Sequence, residues 1–274
     1  VQVEIFVMKL KYCWLLFIVF LAIGCASKKP RALTFNTDVY IRGVVICIDT
    51  FTWIDSSRNR IIPLAIYNRD NLTNVNATLS KKIGKRLVIL NPGYGGTRND
   101  YGYIANNLAV NGYVVVVVQH DIPGDEPLPG TGDIYKQRRP IWGRGVKSIF
   151  FVTDKLKKLY PQLDYKCIVL IGHSNGGDMA MLIANEYPDF AKVIISLDNR
   201  RVRFPRANHP KIFSIRSRDQ PADPGVLPTD EEQTKYHIKI VKVGTTHAEM
   251  GGMGTDAQKQ EINSYILNYI KDNL

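Results

Sequence analysis

Apolar residues along this chain fall into short unbroken runs, separated by longer stretches where they recur every three or four positions. The runs cover 87–90, Val114–Val118, 167–171, 192–197, 211–215 and 238–243. Runs this short and continuous predict parallel strands covered on both faces. Between them, Val146, Ile149, Phe150, Leu156, Leu159 and Tyr160 keep helical spacing, as do Ile262, Tyr265, Ile266, Tyr269 and Ile270 near the end. A further helix-like stretch covers 178–187, and Asn111-Gly112 predicts the C-cap of a helix ahead of the valine strand. Upstream, 40–48 and 52–67 predict an antiparallel ribbon turning through Asp55-Ser56-Ser57-Arg58-Asn59. The alternation predicts a single α/β domain over 37–274: a mostly parallel, doubly wound sheet flanked by helices.

The N-terminal pattern is different. From Met8 the chain reads Met-Lys-Leu-Lys, then an apolar run to Ile23, then Gly24-Cys25. Two lysines, a short apolar core and small residues before a cysteine describe an export signal over 1–24. The run is short of the roughly 20 residues of a membrane span. The stretch Leu21-Ala22-Ile23-Gly24-Cys25 resembles the lipobox of bacterial lipoproteins, with alanine where leucine is usual. That resemblance implies lipidation at Cys25, a polar tether over 25–36, and a place in the bacterial envelope. An ordinary cleaved signal and an uncleaved anchor are the alternatives. Residues 1–7 precede the expected natural start.

Charge and cysteine content change the picture only a little. The net charge is +11; removing 1–24 takes away Lys9, Lys11 and Glu4 and leaves +10. The basic residues are scattered and no nucleic-acid motif accompanies them, so the surface suits anionic headgroups or cell-wall polymers rather than nucleic acid. Cys47 and Cys167 remain inside strand-like runs and read as two buried thiols, with no Cys/His spacing for a metal. No cofactor and no metal are expected, and the chain reads as a monomer.

The chemistry concentrates at Gly172-His173-Ser174-Asn175-Gly176, between a strand-like run and a helix-like stretch. Glycines on either side permit a turn sharp enough to lift the serine hydroxyl clear of the sheet. The helix that follows presents unpaired N–H groups to developing negative charge. With Ser174 as nucleophile, a base and an acid should follow at the C-terminal ends of later strands. His247, in the loop after 238–243, is the candidate base. His120, His173, His209 and His237 sit in less suitable places, and the His173 side chain is expected to point away from Ser174. For the acid, Asp219 is preferred, closing the loop after 211–215; Asp198 and Asp223 are the alternatives. Asp178 reads as a charge in the first turn of the helix.

An oxyanion hole needs two backbone N–H groups. Asn175 should supply one and Tyr94 the other, from the loop Asn91-Pro92-Gly93-Tyr94-Gly95-Gly96. The stretch 121–145 holds four prolines and five glycines together with Tyr135, Arg138, Arg139, Trp142 and Arg144. It reads as a long loop on the active-site edge, a partial lid with Trp142 as a substrate-binding residue and an arginine for an anionic group.

Together these motifs resemble the α/β-hydrolase superfamily. Pro92-Gly93-Tyr94, the stretch 108–118 and the serine turn look like bacterial cutinase-like and polyester-degrading hydrolases. The segment 55–64 and Ser196-Leu197-Asp198 look more like platelet-activating-factor acetylhydrolases and dienelactone-hydrolase-type relatives. The first resemblance implies Asp219 as the acid, the second Asp198. Both imply hydrolysis of carboxylic esters through an acyl-enzyme, on a small-molecule or lipid substrate. A surface lipoprotein that binds without turnover, and a peptidase or amidase, are the competing readings.

Overall fold

In the computed structural model, residues 35–69 and 85–274 are described; the signal-like segment, Cys25 and most of the tether lie outside them. Nine strands form one mixed sheet in the order β1-β2-β3-β5-β4-β6-β7-β8-β9. The first three, β1 (Phe35–Ile41), β2 (Val44–Asp55) and β3 (Arg60–Asn68), make the antiparallel ribbon. The ribbon turns at Arg42-Gly43, where both residues have positive φ, as a tight two-residue hairpin demands. Its second turn lies where the sequence predicts it. The Asp55 carboxylate accepts from the Ser57 N–H (3.1 Å), the Ser57 hydroxyl (2.6 Å) and Arg58 Nε (2.6 Å). The expected gap at 49–51 is continuous strand.

From there the sheet is parallel: β4 (Lys85–Asn91), β5 (Val114–Val118), β6 (Leu163–His173), β7 (Val193–Leu197), β8 (Lys211–Arg216) and β9 (Lys239–Lys242). Only β5 also borders the ribbon, antiparallel to β3 with Leu64 opposite Val118. Side-chain alternation along the central strands separates two cores. Leu87, Ile89, Val116 and Leu170 face α2 (Ile134–Leu159) and α3 (Ser174–Glu186). Val88, Leu90, Val117 and Ile171 face α1 (Gly102–Val110) and α5 (Asp256–Asn273). A short helix, α4 (Asp230–Tyr236), precedes β9.

Gly112, with φ +88°, ends α1: its N–H donates to the Ala109 carbonyl while the Tyr113 N–H donates to that of Leu108. This is the expected C-cap. The largest departure from the sequence reading concerns 121–145. Its second half is helix, because α2 begins at Ile134 with Asp133 accepting from the Lys136 N–H at 3.0 Å. Pro140 lies inside that helix. No disulfide joins Cys47 and Cys167; the first is buried, the second half-buried. Among the described residues, no helix is long and apolar enough to cross a membrane.

Candidate active site

Strand β6 runs directly into α3, and Ser174 stands at the junction with φ +51°. A non-glycine residue in this left-handed region is strained, and it stays there only where its surroundings fix it. The flanking glycines show how. A Cβ at Gly172 would overlap the Gly176 carbonyl, and a Cβ at Gly176 would overlap the carbonyls of Asn91 and Pro92. Both glycines therefore let three backbone segments meet behind the serine.

The Ser174 Oγ lies 2.9 Å from His247 Nε2, and His247 Nδ1 lies 2.6 Å from Asp198 Oδ2. A carboxylate can only accept, so the proton sits on Nδ1 and Nε2 is left to accept from the serine hydroxyl. Asp198 follows β7 with φ +58° and is fully buried. Its carboxylate also accepts from the Ser217 N–H (3.1 Å) and hydroxyl (2.6 Å), and Arg216 Nη2 lies 3.0 Å from Oδ1. Burial alone would raise its pKa. The His247 hydrogen bond, the Arg216 charge and the Ser217 bonds outweigh that and hold it below the ordinary carboxylate value.

Of the three candidate acids, Asp198 meets the His247 ring, and the expected one, Asp219, does not. Asp219 accepts the backbone N–H of His247 at 2.8 Å, and that bond is the main cause of its lowered pKa. It steadies the histidine loop and makes no hydrogen bond to the ring. Asp223 pairs with Arg201. Asp178, expected as a charge in the first turn of the helix, is buried; it accepts from the N–H groups of Arg201 (2.9 Å) and Val202 (2.8 Å), and burial pushes its pKa up to about 6.

The loop 91–96, expected to supply an oxyanion donor, is braced on several sides. The Gly93 N–H donates to the Tyr101 hydroxyl (3.0 Å), which is itself hydrogen-bonded to His173 Nδ1 (2.7 Å). The Gly95 N–H donates to Asp121 (2.8 Å), and the Tyr94 hydroxyl accepts from the Leu128 N–H (3.2 Å). Among the described residues, no acceptor takes the N–H of Tyr94 or of Asn175. The His173 ring lies 4.6 Å from that of His247 and makes no hydrogen bond to Ser174. Burial, then the neighbouring His247, pushes its pKa down to about 3, so it is neutral.

Trp142 is also corrected. It is fully buried and cannot touch substrate; its indole N–H donates to Asn175 Oδ1 at 2.7 Å. The arginines of the expected lid are engaged elsewhere: Arg138 Nε donates to the Pro129 carbonyl (2.7 Å), Arg139 pairs with Glu186 (2.5 Å) and Arg144 with Glu126 (2.6 Å). His120 is buried against Asn91 (3.0 Å), His209 lies in a loop, and His237 caps α4. Sequence reading missed Tyr101, Arg216 and Ser217, whose roles come from tertiary contacts with no local signature. Among the described residues, no group of three or more His, Cys, Asp or Glu could hold a metal ion.

No family model matches the chain. Over 107 residues it is 22% identical to two cutinases of Thermobifida alba, est1 and est2. That segment covers 39% of this chain and 33% and 32% of the cutinases, about a third of each. Among solved structures, the esterase Est22 superposes with a TM-score of 0.56 at 14% identity, over 82% of this chain and 80% of its own. An S-formylglutathione hydrolase from Agrobacterium tumefaciens gives 0.56 at 13% identity, over 87% and 98%. A prolyl endopeptidase gives 0.56 at 11% identity, over 83% of this chain and 38% of its own.

Proposed function

For this chain, which has the α/β-hydrolase fold, we propose a serine hydrolase that cleaves carboxylic esters through an acyl-enzyme. One observation carries the reading: the unbroken line from the Ser174 hydroxyl through His247 to the buried Asp198 carboxylate, at 2.9 and 2.6 Å. Ser174 attacks the ester carbonyl while His247 takes its proton, and Asp198 stabilises the imidazolium that forms. The N–H groups of Asn175 and Tyr94 receive the oxyanion. The tetrahedral intermediate collapses as His247 returns the proton to the leaving alcohol. Water, activated by the same histidine, then attacks the acyl-enzyme and releases the acid.

The cutinase likeness supports an ester rather than an amide, and prolyl endopeptidases on the same fold make p-nitroanilides the necessary control. The test is turnover of short p-nitrophenyl esters by wild type and Ser174→Ala. The variant should keep less than about one per cent of the activity, since losing the nucleophile costs several powers of ten. Substantial residual turnover, or faster cleavage of anilides than esters, would overturn the proposal. We further infer export and lipid attachment at Cys25, supported by the lipobox-like Ala22-Ile23-Gly24-Cys25. This would hold the enzyme at a bacterial membrane, where lipid or small-molecule esters are within reach.

A further inference from the structure

We propose that Trp142 is a positioning residue for the oxyanion-binding turn, holding Asn175 and through it the backbone N–H that follows the nucleophile. The inference rests on the hydrolase reading given above. An indole N–H only donates, so the atom it meets 2.7 Å away is the Asn175 amide oxygen, and the orientation of the carboxamide is settled. Both side chains are buried, Trp142 completely and Asn175 to 3% exposure. The Asn175 Nδ2 then faces no acceptor among the described residues. A buried donor without a partner destabilises the fold. A leucine of the same branched shape would remove that donor but leave the buried Trp142 indole N–H without its acceptor, so the asparagine oxygen is what the indole requires here.

The neighbouring contact makes the hold rigid. Met179 lies one turn beyond Asn175 on α3, and Gly145 lies one turn beyond Trp142 on α2. A Cβ at Gly145 would overlap the Met179 sulfur, so the two helices touch at both positions. With α2 seated this closely, the indole sets where the first turn of α3 sits. At the other side, the half-exposed Tyr135 packs edge-on against Trp142, with ring centroids 5.4 Å apart at 64°. The Tyr135–Trp142–Asn175 series therefore joins the rim of the 119–133 loop to the turn that carries Ser174. Catalysis is sensitive to such placement, because an oxyanion donor works only when aimed at the charge that develops.

The test is Trp142→Phe, which keeps an aromatic ring in the cavity and removes the donor. With a p-nitrophenyl ester, kcat should fall by about 10- to 100-fold, below the full loss of an oxyanion donor, while KM changes little. The pair is uncharged, so the loss should be the same across the pH profile. Asn175→Leu should give a similar fall, and the double variant should be no slower than the slower single one, as expected of residues acting through one bond. If Trp142→Phe does not fold, Asn175→Leu removes the same bond with the indole left in place, and unchanged kcat there overturns the inference. Unchanged kcat in Trp142→Phe with only a lowered Tm, or additive losses in the double variant, would also overturn it. A wild-type Ser174 that takes no fluorophosphonate would instead remove the hydrolase reading itself.

Discussion

Replacing Asp198 by asparagine changes one oxygen to an NH2 group at the point where three side chains and one backbone N–H converge. The native carboxylate accepts on Oδ2 from His247 and the Ser217 hydroxyl, and on Oδ1 from the Ser217 N–H, with Arg216 beside it. An amide can satisfy only one side. If its oxygen stays toward Ser217 N–H and Arg216, its NH2 faces His247 Nδ1 and selects the tautomer with the proton on Nε2. Ser174 then has nowhere to send its proton. If the amide flips, its NH2 meets the Ser217 N–H and the Arg216 guanidinium, donor against donor. The first arrangement is the less costly, so kcat should fall by roughly 10²- to 10⁴-fold. That corresponds to about 3–5 kcal/mol at 1.36 kcal/mol per decade. Arg216, with its side chain 7% exposed, also loses its buried counter-charge, and removing one partner of such a pair costs about 3 kcal/mol or more of stability. Initial rates on p-nitrophenyl butyrate, normalised to folded protein, separate the two effects, and urea unfolding reads the second. Asp219→Asn is the control: its remaining oxygen still accepts the His247 N–H, so turnover should stay within about threefold, a change of under 1 kcal/mol. An Asp198→Asn enzyme with more than a tenth of wild-type kcat, or a collapse in Asp219→Asn, would refute the assignment of the acid.

Acid should destabilise the protein through its buried histidines. Burial holds His120 and His173 at about 3 against an ordinary 6.5, so the unfolded chain binds protons that the folded one refuses. Their contribution is complete above pH 6.5 and is lost as pH falls toward 3, by about 2 kcal/mol each at pH 5. Asp178 has the opposite sign: raised to about 6, it favours the fold most below pH 3.8 and loses that as pH rises through 6. Urea midpoints between pH 7 and 5 should therefore fall less for His120→Gln than for wild type, and equal slopes would contradict the burial argument. Cys25→Ser should move the protein from the membrane fraction to soluble or unprocessed forms; unchanged fractionation and mass would rule out lipid attachment.

The parts of this site that were legible in sequence are those with local causes. Gly172 and Gly176 permit a turn that no other residue fits, and the buried strands announce themselves as valine and isoleucine runs. The ribbon, the serine turn and the histidine loop followed from that alone. The acid did not. Asp198 directly follows one strand and Asp219 closes the loop after the next, and both reach His247, one at its ring and one at its backbone. What separates them is the left-handed backbone at Asp198 and the Ser217 and Arg216 contacts across from β8, which residue spacing does not encode. Trp142 misled for a different reason. Pro140 and the glycines around it describe a loop by composition, yet the α2 face Ile141, Trp142, Gly145, Val146 and Ile149 is buried against the sheet and α3, and that packing overrides the local preference.

Reactivity of Ser174 as a nucleophile is the property on which the proposed hydrolysis depends. Wild-type protein should be incubated with a fluorophosphonate probe at neutral pH, digested, and the modified peptide sequenced by mass spectrometry. A phosphonyl serine requires an activated hydroxyl beside a base and a place for the developing oxyanion, which is the arrangement of Ser174, His247 and Asn175. One adduct per chain on Ser174, absent from Ser174→Ala and strongly slowed in His247→Ala, is the expected result. No adduct on folded wild-type protein, or an adduct on another residue that survives in Ser174→Ala, would contradict the account.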